Sequence, residues 1–399
     1  MLTTRCLIAG GGPAGLMLGY LLARAGIDVT VLEKHADFLR DFRGDTIHPS
    51  TLQVMHELGL LDAFLQLPHT KTEKLGLNIG PHVVQIADFT HLPTKCGYIA
   101  MMPQWDFLNF LAARATGFPN FRLMMSTEAA GLIEDNGRIT GLHAIGPDGP
   151  LDIHADLTIA ADGRGSTVRE AAMLQLEDFG APIDVLWFRL SHRASDPVRS
   201  LGRVDAGQVL VMLDRGAYWQ CAYVIRKGGF ANIRDRGLDI FRETLSALMP
   251  ALRDRVFEIR GWDDVKLLTV AVNRLTTWHR PGLLCIGDAA HAMSPIGGVG
   301  VNLAIQDAVA AANLLRDALR RGAPTEAELA AVQRRRMWPV KMTQRLQVLA
   351  QNRIFGAVLA GASVTKLPWP LKLMRAFPIL RRIPARIIGM GFRPEHVSL

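Results

Sequence analysis

Short apolar runs, each followed by a turn, recur at four places within residues 1–325. Residues 6–9 form an apolar run typical of a buried parallel strand, and residues 13–25 follow as a helix. Residues 29–32 repeat the strand pattern, and residues 157–161 and 283–286 are further apolar strands, each ending at a glycine–acid pair. This order of strand, turn and helix predicts an α/β fold with a parallel sheet.

A different pattern fills the middle of the chain. Segments rich in β-branched and aromatic residues predict strands around residues 75–86, 98–102, 185–191, 208–213, 219–225 and 265–272. Most of them lie between residues 180 and 272, and the first two are inserted earlier. The pattern therefore predicts a second, sheet-built domain assembled from two separate parts of the chain.

These patterns divide the chain into three regions. Residues 1–74, 103–180 and 273–325 are expected to form the first, discontinuous domain. Residues 75–102 and 181–272 are expected to form the sheet domain, and residues 326–399 a basic, helical C-terminal region. No internal repeat interrupts this division.

Composition is that of a globular protein that can bury a substantial core. The chain has 399 residues, of which 49% are hydrophobic and 21% are charged. Its four cysteines, Cys6, Cys96, Cys221 and Cys285, show no metal-ligand spacing, so we expect no metal, no disulfide and a reducing, cytoplasmic environment. We expect no secretory signal before the first strand, and no run reaches the 18 or so apolar residues of a membrane span.

The net charge of +8 belongs to the C-terminal region. Residues 326–399 hold 13 of the 45 Lys and Arg residues but only 3 of the 37 Asp and Glu residues. Three interpretations stay open: a helical cap with basic side chains in solvent, attachment to an anionic membrane surface, or docking to an acidic protein. No nucleic-acid motif accompanies the charge, so we expect no nucleic-acid partner.

The first glycine turn has the features of a dinucleotide site. Gly10 permits a tight turn, Gly12 lets the backbone approach a pyrophosphate, and Gly15 lets the following helix pack closely on the strand. The N-terminus of that helix then faces the phosphates. Glu33 follows 23 residues after Gly10, where a carboxylate can accept hydrogen bonds from an unphosphorylated ribose, which favours FAD or NAD over NADP.

Two further glycine-rich stations follow in order. The first is Asp162-Gly163; the second is Gly287-Asp288, running on to Gly297-Gly298-Val299-Gly300-Val301-Asn302. Each is a modest signal alone. Their order and spacing together indicate one large flavin held at several points.

In these motifs the chain resembles the class A FAD-dependent monooxygenases, the family of para-hydroxybenzoate hydroxylase, over roughly residues 4–325. The segment from Gly10 to Gly15 with Glu33 resembles the family's ADP-binding segment, and Arg43 resembles an arginine that reaches the FAD phosphates. Gln104 resembles a glutamine that contacts the flavin. The resemblance implies a Rossmann-like FAD-binding domain of the glutathione reductase type, interleaved with a substrate-binding sheet domain and followed by a C-terminal helical segment.

The later stations carry the same resemblance. Asp162 is similar to the aspartate of a motif associated with FAD and pyridine nucleotide, and Asp288 to an aspartate that binds the ribityl chain. The loop from Pro295 to Asn302 is similar to one along the isoalloxazine ring. The expected cofactor-binding residues are therefore Gly10, Gly12, Pro13, Ala14, Gly15, Glu33, Lys34, Arg43, Gln104, Asp162, Gly287, Asp288, Pro295, Gly298, Gly300, Val301 and Asn302.

The resemblance also implies a reaction. NADH or NADPH reduces FAD, the reduced flavin reacts with O2, and a flavin C4a-hydroperoxide hydroxylates an aromatic or other electron-rich small molecule. A monomer or homodimer is expected. A reductase or oxidase acting on a lipophilic quinone or isoprenoid is the alternative, and a flavin-binding module without turnover is a third hypothesis.

The substrate side gives weaker signals. We expect the pocket between the sheet domain and the flavin ring, with candidate residues His48, Trp187, Met212, Tyr218, Trp219 and Tyr223. Any of these side chains could instead belong to the core of the sheet. No residue is assigned as catalytic base; His291 is expected to position the turn after Asp288.

Overall fold

The computed structural model describes residues 2–39, 46–80, 82–196, 201–205, 207–352 and 368–398. Its strands are β1 (Leu2–Ala9), β2 (Val29–Leu32), β3 (Thr46–Ile47), β4 (Thr70–Thr72), β5 (Lys74–Ile79), β6 (His82–Asp88), β7 (Ile99–Met101), β8 (Phe121–Met124), β9 (Glu128–Asp135), β10 (Arg138–Gly146), β11 (Gly149–Ala160), β12 (Leu176–Asp178), β13 (Ile183–Ser191), β14 (Leu201–Asp205), β15 (Gln208–Asp214), β16 (Tyr218–Arg226), β17 (Lys266–Leu268), β18 (Asn273–Leu275), β19 (His279–Arg280), β20 (Leu283–Cys285) and β21 (His291–Ala292).

Helices connect and cover these strands. They are α1 (Pro13–Arg24), α2 (Pro49–Glu57), α3 (Leu61–Phe64), α4 (Gln104–Ala115), α5 (Thr167–Ala171), α6 (Phe230–Arg236), α7 (Leu238–Leu248), α8 (Gly300–Arg321), α9 (Glu326–Ala350), α10 (Trp369–Ala376) and α11 (Arg382–Gly389). Single turns of 3-10 helix lie at Pro250–Leu252, Val256–Glu258, Trp262–Asp264, Gly287–Ala289, Ile296–Gly298 and Pro378–Arg381.

An eight-stranded sheet carries the glycine turns. Its central order is β19-β20-β11-β1-β2-β8, with β10 and β9 added beside β11. The strands β20, β11, β1, β2 and β8 pair in parallel. Cys6, Leu7 and Ile8 of β1 are completely buried, because α1 and α8 pack against this part of the fold. The parallel strands therefore end at one edge, which is where ligands bind in open α/β sheets.

A seven-stranded sheet forms the second layer, in the order β17-β13-β16-β15-β14-β5-β6. Only β14 and β5 pair in parallel. Because side chains alternate along a strand, each face has its own apolar cluster. Phe188, Leu210 and Cys221 pack toward α7, whereas Val209 and Ala222 belong to a cluster that Ile296 contacts from the other side.

Two small sheets link the layers. One has the order β3-β7-β4 and the other β12-β18-β21. β7, which we expected within the substrate sheet, pairs instead with β3 and β4, and residues 89–98 separate it from β6. The domain boundaries themselves stay a prediction.

The C-terminal region returns over the body of the protein. α9 packs along α8 and begins at Glu326, because Thr325 and Glu328 form a reciprocal capping box. α10, α11 and the turn between them pack on β6. Of the residues that this structure covers, 296–321 form one helical stretch that satisfies the length and composition of a membrane span, but 72% of its most apolar window is buried, as in a core helix.

Candidate functional site

Two glycines of the first turn leave no room for a side chain, whereas a third faces open space. A Cβ on Gly10 would lie 2.4 Å from the Ala161 carbonyl oxygen, and a Cβ on Gly15 would overlap the Gly10 carbonyl. A Cβ on Gly12 would meet nothing within 4 Å. Gly10 also has a φ of +105°. The open space above Gly12, at the N-terminus of α1, fits a pyrophosphate.

The acidic residue after β2 faces this turn. One Glu33 carboxylate oxygen accepts a hydrogen bond from the Gly11 N–H at 3.1 Å, and the other accepts one from the His35 N–H at 3.1 Å. Lys34 is more exposed, and its Nζ lies 3.7 Å from a Glu128 carboxylate oxygen. Glu33 is therefore held beside the open space at Gly12, as a ribose contact requires.

Arg164 links the turn at Asp162-Gly163 to the turn at Gly287-Asp288. Arg164 Nε donates to Asp288 Oδ2 at 3.0 Å, so the two turns meet although they lie far apart in sequence. Arg169 donates to the Ala289 and Arg164 carbonyl oxygens and is itself buried. The sequence argument did not assign Arg164; its signal was an arginine directly after Asp162-Gly163.

Asp162 has a second partner set. Its carboxylate accepts hydrogen bonds from the Ser166 hydroxyl and from the Val168 N–H, at the start of α5. Burial raises the pKa of Asp162 above its usual value, although these hydrogen bonds oppose the shift. The carboxylate thus orders the turn after β11, and its contact with a cofactor stays a prediction.

Asn302 ties the loop of the third station to the segment before α2. Its Oδ1 accepts from the His48 N–H at 2.9 Å and from the Thr51 hydroxyl at 2.7 Å, while its Nδ2 donates to the Thr46 and Gly298 carbonyl oxygens at 3.3 Å. Gly298 has a φ of +64°, and a Cβ there would lie 2.5 Å from Thr46 Oγ1. This loop therefore needs glycine for both its conformation and its close approach.

The N-terminal part of this loop is fixed from α9. Gln347 accepts a hydrogen bond from the Ser294 N–H at 3.1 Å and donates to the Ser294 and Ile296 carbonyl oxygens at 2.9 and 3.0 Å. Pro295 lies between them, and Gly300 and Val301 begin α8. Sequence analysis does not mark Gln347 as a site residue, because glutamine is common in long helices.

A buried ionic network lies beneath the Gly287-Asp288 turn. Asp307 accepts hydrogen bonds from the Gly287 N–H at 3.1 Å, His291 Nε2 at 2.6 Å and Arg336 Nε at 2.8 Å. Arg336 also donates to Glu395 at 3.2 Å. Burial alone would raise the pKa of Asp307, but His291 and Arg336 hold it below its usual value. His291 therefore supports the turn, as the sequence suggested.

His48 lies in the same region and not on the seven-stranded sheet. It is fully buried, its Nδ1 lies 2.7 Å from the Ile388 carbonyl oxygen, and its Nε2 has no partner among the residues that are described. Burial lowers the pKa of His48 to about 4, although the Ile388 carbonyl opposes the shift. His48 is therefore neutral at physiological pH.

The other expected cofactor contacts lie near the glycine turns and near the loop from Pro295 to Asn302. Pro13, Ala14 and Gly15 begin α1, and Gln104 begins α4 directly after β7. Gly287 has a φ of +60°, and Ala14 lies 3.1 Å from the position of a Cβ there. Arg43 lies outside the described residues. The open space at Gly12, the position of Glu33 and the orphaned Nε2 of His48 all fit a bound FAD.

The substrate candidates divide between the two faces of the seven-stranded sheet. Trp187 belongs to the face that Ile296 contacts, and the register of β13 with β16 places Tyr218 on the same side, with the Arg189 guanidinium 4.9 Å from the centre of its ring. The structure does not bring Met212, Trp219 and Tyr223 to that face. They lie on the α7 side; Trp219 is fully buried and donates to Asp196 at 2.8 Å.

The side of the seven-stranded sheet that Ile296 contacts is here called the inner face. Sequence analysis missed several residues on this face, and they alternate along the strands with the candidates that it chose. Gln220, which accepts a hydrogen bond from Arg215 Nε at 2.9 Å, lies beside Trp219, and Val211 lies beside Met212. The alternation of side chains along a strand separates the residues of the two faces. It does not show which face lies toward the loop from Pro295 to Asn302.

The fold and the similarity to known proteins together define an FAD-dependent monooxygenase. The chain belongs to the FAD binding domain family, whose model matches residues 3–346. It is 32% identical over 384 residues to 6-methylpretetramide 4-monooxygenase from Streptomyces rimosus, an alignment that covers 95% of this chain and 91% of that protein. It is 23% identical to para-nitrophenol 4-monooxygenase from Pseudomonas sp. strain WBC-3, over 80% of this chain and 79% of that protein.

Solved structures show the same fold. The p-nitrophenol 4-monooxygenase from Pseudomonas putida DLL-E4 superposes with a TM-score of 0.75 at 21% identity, covering 98% of this chain and all of that one. Several other similar proteins are longer: the chain spans 60% of a Streptomyces rimosus 12-dehydrotetracycline 5-monooxygenase/anhydrotetracycline 6-monooxygenase.

These comparisons confirm the predicted fold class, FAD and an aromatic monooxygenase, with NAD(P)H as the donor typical of the family. They give no support to the quinone reductase alternative.

Proposed function

We propose that this monooxygenase hydroxylates a multi-ring phenolic substrate bound between the flavin loop and the inner face of the seven-stranded sheet. The width of that face carries the proposal. Partly buried apolar side chains line it from β13 to β5, among them Trp187, Val211 and Leu77, and Ile296 packs opposite them. Four strand intervals span roughly 19 Å, which suits several fused rings better than one.

The similar proteins support the same substrate class. Two of them, from Streptomyces rimosus, are named for 6-methylpretetramide and for anhydrotetracycline. Single-ring substrates are represented too, by para-nitrophenol. The apolar wall distinguishes the two groups, because a single ring would leave much of it exposed to water.

The residues of this chain would hold and shield the reacting groups. Bound FAD, once reduced by NAD(P)H, supplies the activation of O2 that the reaction needs. Gly12 and the N-terminus of α1 would hold the pyrophosphate, Glu33 the adenosine ribose and Asp288 the ribityl chain. The backbone around Gly298, fixed by Asn302, would lie along the flavin ring.

The sheet face would supply orientation and exclusion of water. Trp187 offers a flat apolar surface for a substrate ring. Arg189 and Gln220 are paired in register on the same face, and we propose that they contribute polar contacts to a phenol or its anion. The remaining expected cofactor residues, Arg43 and Lys34 among them, are proposed in the roles that the resemblance implies.

Turnover measurements test this proposal directly. FAD-loaded protein would be mixed with NADH or NADPH in ¹⁸O2, with single-ring phenols or with anhydrotetracycline and hydroxyanthraquinones. We expect at least about tenfold faster NAD(P)H oxidation with the multi-ring compounds, and one labelled oxygen atom in the product. Acceleration by single-ring phenols alone, or oxidation without any labelled product, would contradict the proposal.

The cellular setting is proposed on separate grounds. We infer a cytoplasmic protein, because all four cysteines are buried free thiols, as is usual in a reducing compartment. A monomer or homodimer and peripheral contact of the basic C-terminal region with a membrane also stay proposals.

A further inference from the structure

The C-terminal helices carry an exposed row of large apolar side chains, here termed the C-terminal ridge: Trp369, Leu373, Phe377, Ile379 and Ile383. Their exposed fractions are 76%, 41%, 57%, 63% and 59%, respectively. Trp369 and Leu373 are four residues apart on α10 and therefore share a face of that helix. On soluble proteins, large apolar side chains exposed together on neighbouring elements mark sites of interaction.

The helices that carry the ridge pack on the protein through their opposite side. α10, α11 and the turn between them all pack on β6, and Arg381 donates to Gln85 of β6 at 2.6 Å. Leu371 packs against the inner-face cluster of the seven-stranded sheet, and Ala385 is completely buried. Because the anchored side faces the protein, the ridge faces away from it.

Charge distinguishes the partners that could cover this surface. Residues 368–394 contain six basic residues and no acidic residue; the basic residues are Lys372, Arg375, Arg381, Arg382, Arg386 and Arg393. Four of them, Lys372, Arg375, Arg382 and Arg386, are exposed beside the ridge. A second copy of this chain would bring like charges together, so self-association through this face is unfavourable. An anionic surface is complementary.

We propose that the C-terminal ridge docks the protein on an anionic lipid bilayer. Trp369, Phe377, Ile379 and Ile383 enter the boundary between headgroups and acyl chains, and the flanking lysine and arginine side chains contact lipid phosphates. Exposed apolar side chains with basic side chains beside them suit the boundary region of an anionic membrane.

Vesicle sedimentation with the full-length, FAD-loaded protein tests the proposal. Vesicles of phosphatidylcholine alone would be compared with vesicles of equal parts phosphatidylcholine and phosphatidylglycerol, at low and high salt. We expect binding to the anionic vesicles only, weakened by salt. The double variant Phe377→Ser/Ile379→Ser should bind at least about tenfold more weakly, since two large apolar side chains no longer enter the lipid.

A matched control comes from the opposite part of the sheet. Phe257 is 65% exposed in the turn Val256–Glu258, which packs on β13, near the other edge of the seven-stranded sheet from β6. Phe257→Ser removes an equally exposed aromatic side chain and should leave vesicle binding unchanged.

Four outcomes would overturn the proposal. They are no binding to either vesicle, equal binding to both, equal weakening by Phe257→Ser, and a wild-type dimer in solution that Phe377→Ser/Ile379→Ser converts to a monomer. The last would show that the ridge is an interface between copies of this chain. The test reads lipid binding alone, so its result is independent of which substrate is hydroxylated.

Discussion

The proposed flavin site and the proposed substrate site are built by different means. The flavin site, here called the flavin bed, comprises the glycine turns and the loop from Pro295 to Asn302; the substrate face is the side of the seven-stranded sheet that Ile296 contacts. The bed consists of backbone brought close by glycines and helix N-termini: Gly10, Gly12 and Gly298 allow approaches that a Cβ would prevent or occupy. The substrate face consists of side chains that alternate along strands, such as Trp187 and Val211. Substitutions in the bed should therefore change cofactor binding, stability or both, whereas substitutions on the face should change substrate selection alone.

The largest effect is expected where the bed rests on buried charge. Arg336→Met leaves Asp307 and Glu395 buried without their shared counter-ion, which should cost about 3–5 kcal/mol of unfolding free energy. The turn at Gly287 should also loosen, so FAD should bind more weakly. Denaturant unfolding of the apoprotein, with FAD titration by flavin fluorescence, measures both effects.

Arg335 is the matched control. Its side chain is 35% exposed and bonds only the Glu395 carboxylate in this network. Arg335→Met should therefore cost at most about 1 kcal/mol, after screening by solvent. Equal losses for the two variants would show that the buried position of Arg336 has no special weight.

Gly12→Ala separates the fold from the cofactor. A Cβ at this position meets no atom within 4 Å, and Gly12 has a φ of −76°, so the apoprotein should keep its stability within about 0.5 kcal/mol. The methyl group would occupy the space proposed for the pyrophosphate, and FAD affinity should fall at least about tenfold.

Gly165→Ala provides the comparison for that experiment. Gly165 lies in the turn after Asp162-Gly163, and a Cβ there also meets nothing within 4 Å. Both apoproteins should unfold like the wild type, and only Gly12→Ala should lose FAD. If the two variants retained FAD equally, the proposed site of the pyrophosphate would be wrong.

The same contrast explains what the sequence could predict. The strands of the flavin bed end within one residue of their predicted ends, because tight turns demand glycine at fixed spacing from an apolar strand. β1 and β11 begin earlier than predicted, at Leu2 and Gly149. α1 was expected over residues 13–25 and runs from Pro13 to Arg24, and β2 has the expected ends. A backbone requirement of this kind can be recognised from the residue type, because glycine alone meets it at little cost.

Side-chain networks were less accessible. Nothing local marks Asp307 and Arg336 as partners, because they lie on separate helices and meet only after folding. On the substrate face, the choice of Met212, Trp219 and Tyr223 followed residue size. A shift of one position along a strand exchanges the two faces, and only the register with neighbouring strands and Ile296 shows which face is which.

Trp187→Ala should act on the substrate alone. The indole lies on the inner face, where we propose that it packs on a substrate ring, an interaction of about 0.5–1.5 kcal/mol. KM for a multi-ring substrate should therefore rise about two- to tenfold, with FAD affinity unchanged. Met212→Ala truncates a large side chain on the opposite face and, in folded protein, should leave KM unchanged. A KM effect of Met212→Ala alone would reverse the assignment of the two faces.

The smallest expected effect concerns pH and links the bed to the C-terminal region. The pKa of His48 is lowered to about 4 from its usual value of 6.5, so the unfolded chain binds a proton at a pH where the folded protein does not. Stability contributed at this site is therefore lost as the pH falls from about 6.5 toward 4. Between pH 7 and pH 6 the loss should be about 0.7 kcal/mol.

His48→Asn isolates this effect from all other titrating groups. The Asn amide can still donate a hydrogen bond to the Ile388 carbonyl, but it carries no titratable proton. Unfolding free energies of the two apoproteins, measured from pH 7.5 to 5, should differ by an amount that changes with pH in the direction given above. A constant difference would mean that His48 titrates alike in both states, and that its burial against Ile388 does not hold the ring neutral.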